Sequence, residues 1–420
     1  MIEAIILFCL VICLLALRVN LVGVLLILAA YIHFVWGDGI LSYIVEDMWV
    51  AIDKEVLLSI PLFLLCGSVM SKGAIANRMI NIATTMTAAL PGGLGIATII
   101  TCGIFAAISG SSAVTLIAVG SIAYPALLKE GYGKPFSLGL LTSGGTLGVI
   151  IPPSIPMILY GIVTETSIVD LFIAGVIPGI LLTFLLSTYA LWRARKMERK
   201  RFDATVFLSA LRSGIWSILM PVLLLGGIYS GFFSPTESAA IALAYSLIIE
   251  IFVHREVNLA DLYDTVVETA TLMGSLFPVL AIALSVNLLL TSHQVPAELT
   301  NWMSGLITDK FTFLLIMNAV LLVVGCIMDM TSAILILAPI LMHLGRNYGV
   351  DPIHLGIIMT VNLEIGLLTP PLGLNLIIAM TAFRENFNLI AKSALPFVFV
   401  MLIGLALITY IPQLSLVLLR

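Results

Sequence analysis

The sequence predicts an all-α polytopic membrane protein made of two inverted-topology repeats, each with five crossings and one re-entrant helical hairpin. Composition, a long-range self-match and the distribution of basic residues carry that prediction. Of 420 residues 61% are hydrophobic and only 10% charged, against about half and a quarter in a soluble chain. A water-soluble fold could not bury that much apolar surface and still coat itself with charge, so the solvent is largely lipid. A net charge of −4 without a basic, aromatic-rich block argues against nucleic acid as a partner and against disorder. The five cysteines (Cys9, Cys13, Cys66, Cys102, Cys326) are odd in number and sit in apolar runs, which points away from a disulfide scaffold.

A spanning helix needs about 20 apolar residues, or about 17 at the short end. Residues 2–17 carry Glu3 in place of a basic leader, and apolar sequence resumes at Leu21; a first membrane helix fits better than a cleaved signal. Further apolar runs cover 21–36, 56–70, 92–128, 136–163 and 171–192. After the basic stretch Arg193, Arg195, Lys196, Arg199, Lys200 and Arg201 they resume at 215–231, 238–253, 270–290, 311–344, 353–383 and 395–419. Residues 40–55 and 259–268 read as amphipathic helices on the membrane surface. Ser109-Gly110-Ser111-Ser112 breaks the run 92–128, and Pro152-Pro153 breaks 136–163.

The self-match is specific. Pro61 pairs with Pro278, Ser112-Ala113 with Ser332-Ala333, Tyr132-Gly133 with Tyr348-Gly349, Pro152-Pro153 with Pro370-Pro371 and Pro178 with Pro396, all about 217 residues apart. The chain therefore reads as two copies, 1–192 and 214–420, joined by a basic linker at 193–213. If the hairpins 92–128 and 311–345 enter and leave on one side, each copy crosses five times and the second is upside down. With the linker in the cytoplasm, fifteen of the nineteen basic residues fall inside and only Lys54, Lys310, Arg346 and Arg420 outside, as the positive-inside rule asks. Both termini are then expected in the periplasm.

Inverted repeats with interrupted helices place binding sites where backbone is freed from helical bonding. Proline removes a donor, glycine lets the chain bend, and serine and threonine add compact oxygens. A hard cation such as sodium wants several such oxygens. The first tip faces the glycine-rich break 144–154. The second, Asp329-Met330-Thr331-Ser332, faces 362–371, which ends in Pro370-Pro371. Asp329 and Glu364 are costly inside a membrane and mark a site by default. Alternatives stay open. Ser-Gly-Ser-Ser also serves helix packing; Asp329 and Asn375 are possible helix caps; Glu364 is a possible bundle lock. Glu237 in Ser234-Pro235-Thr236-Glu237 reads as a capping residue, and His33, His254, His293, His343 and His354 show no metal-ligand spacing. An intramembrane enzyme with Ser109 or Ser111 as nucleophile lacks a nearby histidine base, and two occluding tips disfavour a pore.

At these residues the sequence resembles the large membrane subunit of the tripartite ATP-independent periplasmic (TRAP) transporters, over nearly the whole chain. The strings that carry the resemblance are 107–113 at the first tip, 145–154 at the first break, 234–240, and 368–375 at the second break. The resemblance implies an elevator-type secondary transporter of the bacterial inner membrane, with a mobile transport domain and a fixed scaffold. It implies sodium-driven uptake of an organic acid, with a periplasmic binding protein and a small membrane subunit as partners. That subunit is expected on a separate polypeptide, because the chain starts at the first repeat; lipid or a second copy could also cover the scaffold. By the same resemblance one sodium belongs to Ser109, Ser112, Gly145, Thr146, Val149 and Pro152. A second belongs to Gly325, Asp329, Thr331, Ser332, Gly366 and Thr369. Substrate lies between, near Ser111, Ser154, Glu364 and Asn375. The runner-up is a self-sufficient sodium/carboxylate or ion transporter of related architecture.

Overall fold

An apolar segment in lipid has to satisfy its backbone internally, which favours helices. The computed structural model describes residues 10, 21–35, 42–73, 75–199, 201–292, 307 and 309–419, and these hold helices and connections with no strand among them. Nine helices among the described residues are long and apolar enough to cross a membrane, and several shorter apolar ones accompany them.

The first half contains α1 (Leu21–Val35), α2 (Ser42–Ile52), α3 (Ser59–Lys72), α4 (Ile75–Met86), α5 (Gly93–Ser109), α6 (Ser112–Lys129), α7 (Lys134–Ile150), α8 (Ile155–Thr164) and α9 (Ile168–Arg193). The second contains α10 (Ala204–Tyr229), α11 (Pro235–Ile248), α12 (Leu259–Ser292), α13 (Lys310–Ile327), α14 (Met330–Asn347), α15 (Pro352–Gly366), α16 (Leu374–Phe383), α17 (Phe387–Tyr410) and the short α18 (Gln413–Leu416). Start signals are chemical. Asp203, Asp309 and Asp351 each accept amides of the helix they precede, supplying partners for orphan first-turn donors. Ser234 and Glu237 form a reciprocal capping box on α11, with Ser234 N donating to Glu237 Oε2 at 2.8 Å. Glu237 thus takes the capping role.

Several elements differ from the sequence reading. Residues 259–268 are not a separate surface helix; they continue into α12, because nothing from Leu259 to Met273 breaks a helix and Pro278 is accommodated inside it. Helix α4 has no counterpart among the apolar runs of the sequence. It buries one face through Ile75, Ala76, Met79, Ile80 and Ala83 and is too short and polar for a scan of apolar runs. Helix α10 begins at Ala204, capped by Asp203, within the stretch read as linker. Helix α17 begins at Phe387 and ends at Tyr410, so 411–419 is a separate turn and short helix. The candidate span 2–17 apart from Leu10, with Cys9 and Cys13, and also Arg18, Lys200, His293 and Arg420 lie outside the described residues.

Packing crosses between the halves. Helix α7 lies against α5, α6 and α17, and α15 against α13, α14 and α9. Each half-helix that follows a break packs on the other half's hairpin: α8 on α14, α16 on α6. Hydrogen bonds gather the ends onto two faces. Lys134 Nζ (2.7 Å) and Tyr124 OH (3.0 Å) both donate to Glu385 Oε1, joining the start of α7, the end of α6 and the loop after α16. The Lys134 ammonium, with the tyrosine hydroxyl, holds the Glu385 carboxyl below its usual range. Tyr160 OH donates to Pro352 O at 2.7 Å and Lys310 Nζ to Gly349 O at 2.7 Å, joining the end of α8 to the starts of α15 and α13. Because α7 and α8 run as one interrupted path from Lys134 to Thr164, these are opposite faces. The α5–α6 hairpin opens toward the first, the α13–α14 hairpin toward the second.

Candidate functional site

The first tip is a tight turn between α5 and α6. Gly110 adopts a left-handed conformation (φ 59°) and Ser111 an extended one, reversing the chain in two residues. Only glycine does this cheaply, and a Cβ on Gly110 would meet Pro153 O at 3.0 Å. Ser109 and Thr115 hydroxyls share a 2.7 Å hydrogen bond, and Ser109 Oγ also lies 3.3 Å from Ser111 O. Both Ser109 and Ser112 are buried.

Beneath this tip α7 stops at Ile150. Four residues, 151–154, carry the cis Pro152-Pro153 bond before Ser154 opens α8, accepting from Met157 N at 3.4 Å. Neither proline can donate to the carbonyls four residues back, those of Gly148 and Val149. Tip and break touch directly: Ile155 N donates to Gly110 O at 3.4 Å, and a Cβ on Gly148 would sit 2.5 Å from both Ser111 O and Thr115 Oγ1. Gly148 is therefore the residue that lets this break approach its tip. Thr115 and Gly148 complete the site and were not singled out from sequence. Thr115 lies a helical turn beyond the Ser-Gly-Ser-Ser tip, the one available clue. Of the residues expected there, Gly145 packs on Leu116. Thr146 turns its hydroxyl to Ser143 O (2.6 Å) and Met401 Sδ (3.8 Å), so it faces α17 and not the tip.

The second tip is built on a cap. Asp329 is the N-cap of α14, accepting from Ser332 N (2.9 Å, Oδ2) and Ser332 Oγ (2.5 Å, Oδ1). The carboxylate sits at the positive end of a helix, where a negative charge is favoured, and it is exposed in the chain alone. Thr331 is half-buried and Ser332 buried. Seven residues, 367–373, separate α15 from α16, with a cis Pro370-Pro371 bond and left-handed Gly373 (φ 56°). This break also binds its tip: Leu372 N and Gly373 N both donate to Cys326 O at 3.3 Å. Gly325 and Gly366 meet backbone to backbone, since a Cβ on Gly366 would lie 2.6 Å from Gly325 Cα. Thr369 donates its hydroxyl to Ile365 O at 3.0 Å.

One chain of hydrogen bonds joins the halves. Ser112 Oγ at the first tip donates to Asn375 Oδ1 (3.1 Å), and Asn375 Nδ2 donates to Glu364 Oε1 (2.7 Å). Asn375 and Glu364 are buried, and among the described residues Glu364 Oε2 accepts no hydrogen bond. Asn375 is thus not a cap of α16 but a bridge from the second break to the first tip. Ser111 and Ser154 lie on the tip and break of the first half and are not part of this bridge. A second polar pair, Asn318 and Asn362, links α13 to α15 through Asn362 Nδ2 (2.6 Å to Asn318 Oδ1); sequence reasoning passed over it because neither residue adjoins a tip. Both tips offer oxygen donors only, and among the described residues no cluster of histidine, cysteine or carboxylate suits another metal. That donor set fits a hard cation. Cys66, Cys102 and Cys326 are buried free thiols.

Comparison with known proteins places these features in a family. Residues 8–414 match the family described as tripartite ATP-independent periplasmic transporter, DctM component. The chain is 42% identical to the C4-dicarboxylate TRAP transporter large permease protein DctM of Pseudomonas aeruginosa over 369 residues, 87% of this chain and 86% of that one. It is 40% identical to the isethionate TRAP transporter permease protein DctMQ of Oleidesulfovibrio alaskensis, covering 90% of this chain but 60% of that one. It is 34% identical to the ectoine TRAP transporter large permease protein TeaC of Halomonas elongata, over 90% of both. Among solved structures the Alcanivorax borkumensis YdaH transporter shares the fold, with a TM-score of 0.62 at 13% identity over 90% of this chain and 89% of that one. These relatives are transport permeases, not enzymes.

Proposed function

The chain belongs to the DctM component family of the tripartite ATP-independent periplasmic transporters, and from that premise we propose that it is the large permease subunit of a sodium-coupled importer of an organic acid anion. It would work by an elevator mechanism in the bacterial inner membrane, with a periplasmic binding protein and a small membrane subunit. The two hairpins, opening toward opposite faces, support the inverted-repeat reading. The mobile part would be α5–α8 with α13–α16, and α1–α3 with α10–α12 the scaffold.

The observation that carries this reading is the Ser112–Asn375–Glu364 chain. It ties the tip of one half to the break of the other, so the two tip-and-break sites move as one body. Sodium would be held by tip and break oxygens: at the first site Ser109, Ser112 and the carbonyls that Pro152-Pro153 cannot bond, at the second Asp329, Ser332 and the turn at Thr369. Bound there, the ion supplies positive charge that draws an anion between the sites and lets the gradient drive the cycle. The residues themselves bind, orient and exclude water. Substrates such as dicarboxylates, isethionate and ectoine belong to the named relatives; an acid of similar size suits this chain.

The test is reconstitution. Proteoliposomes holding the chain and its small subunit should take up the acid only with an inward sodium gradient and the loaded binding protein. Uptake indifferent to sodium would refute the coupling. Full-rate uptake by the chain alone would favour the self-sufficient alternative.

A further inference from the structure

The face where α8 ends and α15 begins carries a cleft of about 410 Å3 between α2 and α12 on one side and α8 and α14 on the other. Small-molecule sites run from about 300 Å3 upward. Ile162, Val163, Leu284 and Met342 give it an apolar floor, and Lys54 and Arg346 stand in its wall. Neither cation forms an ion pair among the described residues. Two carboxylates, Asp47 and Glu165, share the wall with them. Asp47 Oδ2 accepts from Ser285 Oγ at 3.3 Å with His33 Nε2 3.9 Å away; Glu165 is the exposed, left-handed residue ending α8. His343 engages Pro339 O through Nδ1 at 2.9 Å. Arg346 is in the last turn of α14, and the helix end alone would account for one cation there. It does not account for a second, Lys54, from the loop after α2.

A cleft on the opposite face holds Arg78 and Lys129 together with Glu130 and Glu256, and the Arg78 guanidinium is held by Glu256 at 3.3 Å.

We propose that the cleft at Lys54 and Arg346 is a capture site for a small organic anion, its carboxylate or sulfonate between the two cations and its short carbon body on the apolar floor. Charge inside a low-dielectric cleft concentrates counter-ions from solution, and arginine's planar fork matches a carboxylate or sulfonate edge. The placement of this face outside rests on the orientation proposed above. The cleft walls come from elements assigned to both the scaffold and the mobile part, so occupancy would be sensed where the two slide.

The test uses a sulfonate as its own probe. In the full chain in nanodiscs, Leu288→Cys, exposed in the cleft wall, is treated with the anionic reagent sulfonatoethyl methanethiosulfonate or its cationic aminoethyl analogue. The native cysteines provide the blank. The anionic reagent should react about tenfold faster, and isethionate and succinate should slow it. Lys54→Gln with Arg346→Gln should remove both the preference and the protection. Val50→Cys, exposed on the same wall, repeats the measurement if Leu288→Cys folds poorly. Equal rates for the two reagents, or a preference that survives the double substitution, would overturn the site. In sealed vesicles of known orientation, the same preference with reaction only from the cytoplasmic side would leave the site standing and overturn the orientation.

Discussion

Around Pro152-Pro153 four residues separate two helices and only Ile151 is not fully buried; around Pro370-Pro371 seven residues do so, and Pro370, Pro371 and Leu372 are exposed. The two breaks also settle their backbone differently. In the second, the carbonyls that the prolines cannot serve find other donors: Thr369 N bonds Gly366 O at 2.8 Å and Asn375 N bonds Leu367 O at 3.2 Å. In the first, the tip is pressed against α7 at Gly148, where a Cβ would sit 2.5 Å from Ser111 O. Equal sequence patterns thus give one compact, buried cradle and one wider turn open at the surface. A diproline withholds two donors from the helix before it, and at the second break the longer turn supplies replacements from Thr369 N and Asn375 N.

The largest effect expected from disturbing this arrangement is steric. Gly366→Val forces side-chain atoms into the Gly325 backbone 2.6 Å from where its Cβ would lie, and backbone cannot step aside as a flexible side chain can. A loss of about 1–3 kcal/mol or more follows from overpacking, read as a clear fall in unfolding temperature in detergent together with lost uptake. Gly226→Ala has open space around it and is the control: it should be neutral or slightly stabilising, since alanine is the better helix former. If both variants unfold alike, the close approach at the second break does not support the fold.

The next effect probes the bridge that makes the two sites one body. Asn375→Leu leaves Glu364 buried without its donor, a cost of about 1–3 kcal/mol for an unsatisfied polar group. Glu364→Gln keeps an acceptor for Asn375 and should fold nearly as well. Thermal unfolding of the two variants side by side checks this; equal losses would mean that Glu364 matters through its charge and not through the bridge.

Much of this was legible in the sequence, and what was not has physical reasons. Tips and breaks were visible because they violate what a lipid-facing helix should be: Ser109-Gly110-Ser111-Ser112, Asp329 and two diprolines stand out against apolar surroundings. The α4 helix was not, because its polar face gives it no continuous apolar run. The continuity of α12 is hidden because the amphipathic pattern at 259–268 reads as a helix on the membrane surface, while nothing there stops the helix. Side-chain direction was the least legible. Thr146 lies inside the most distinctive string of the chain, yet its hydroxyl points to α17. Asn375 and Ser112 are 263 residues apart, and only the crossing of the halves brings them together.

The smaller effects separate charge from geometry at the exposed site. Asp329→Asn keeps a side chain that can cap α14, since asparagine ranks with aspartate at this position; Asp329→Ala loses the cap, at about 1 kcal/mol. If Asp329 is only a cap, the Asn variant keeps full sodium-dependent uptake and the Ala variant shows a modest fall in stability. If its charge holds sodium, both variants lose sodium stimulation while the Asn variant stays as stable as the parent. For sodium binding Ser112→Ala at the buried site should do least, since Ser109, Thr115 and the neighbouring carbonyls still supply oxygen; for stability it leaves Asn375 Oδ1 without its donor, a cost of about 1–3 kcal/mol. A rightward shift in sodium dependence with maximal uptake retained is the expected result. Complete loss would mean that the compact cradle depends on a single hydroxyl, and that the redundancy separating it from the open site is not there.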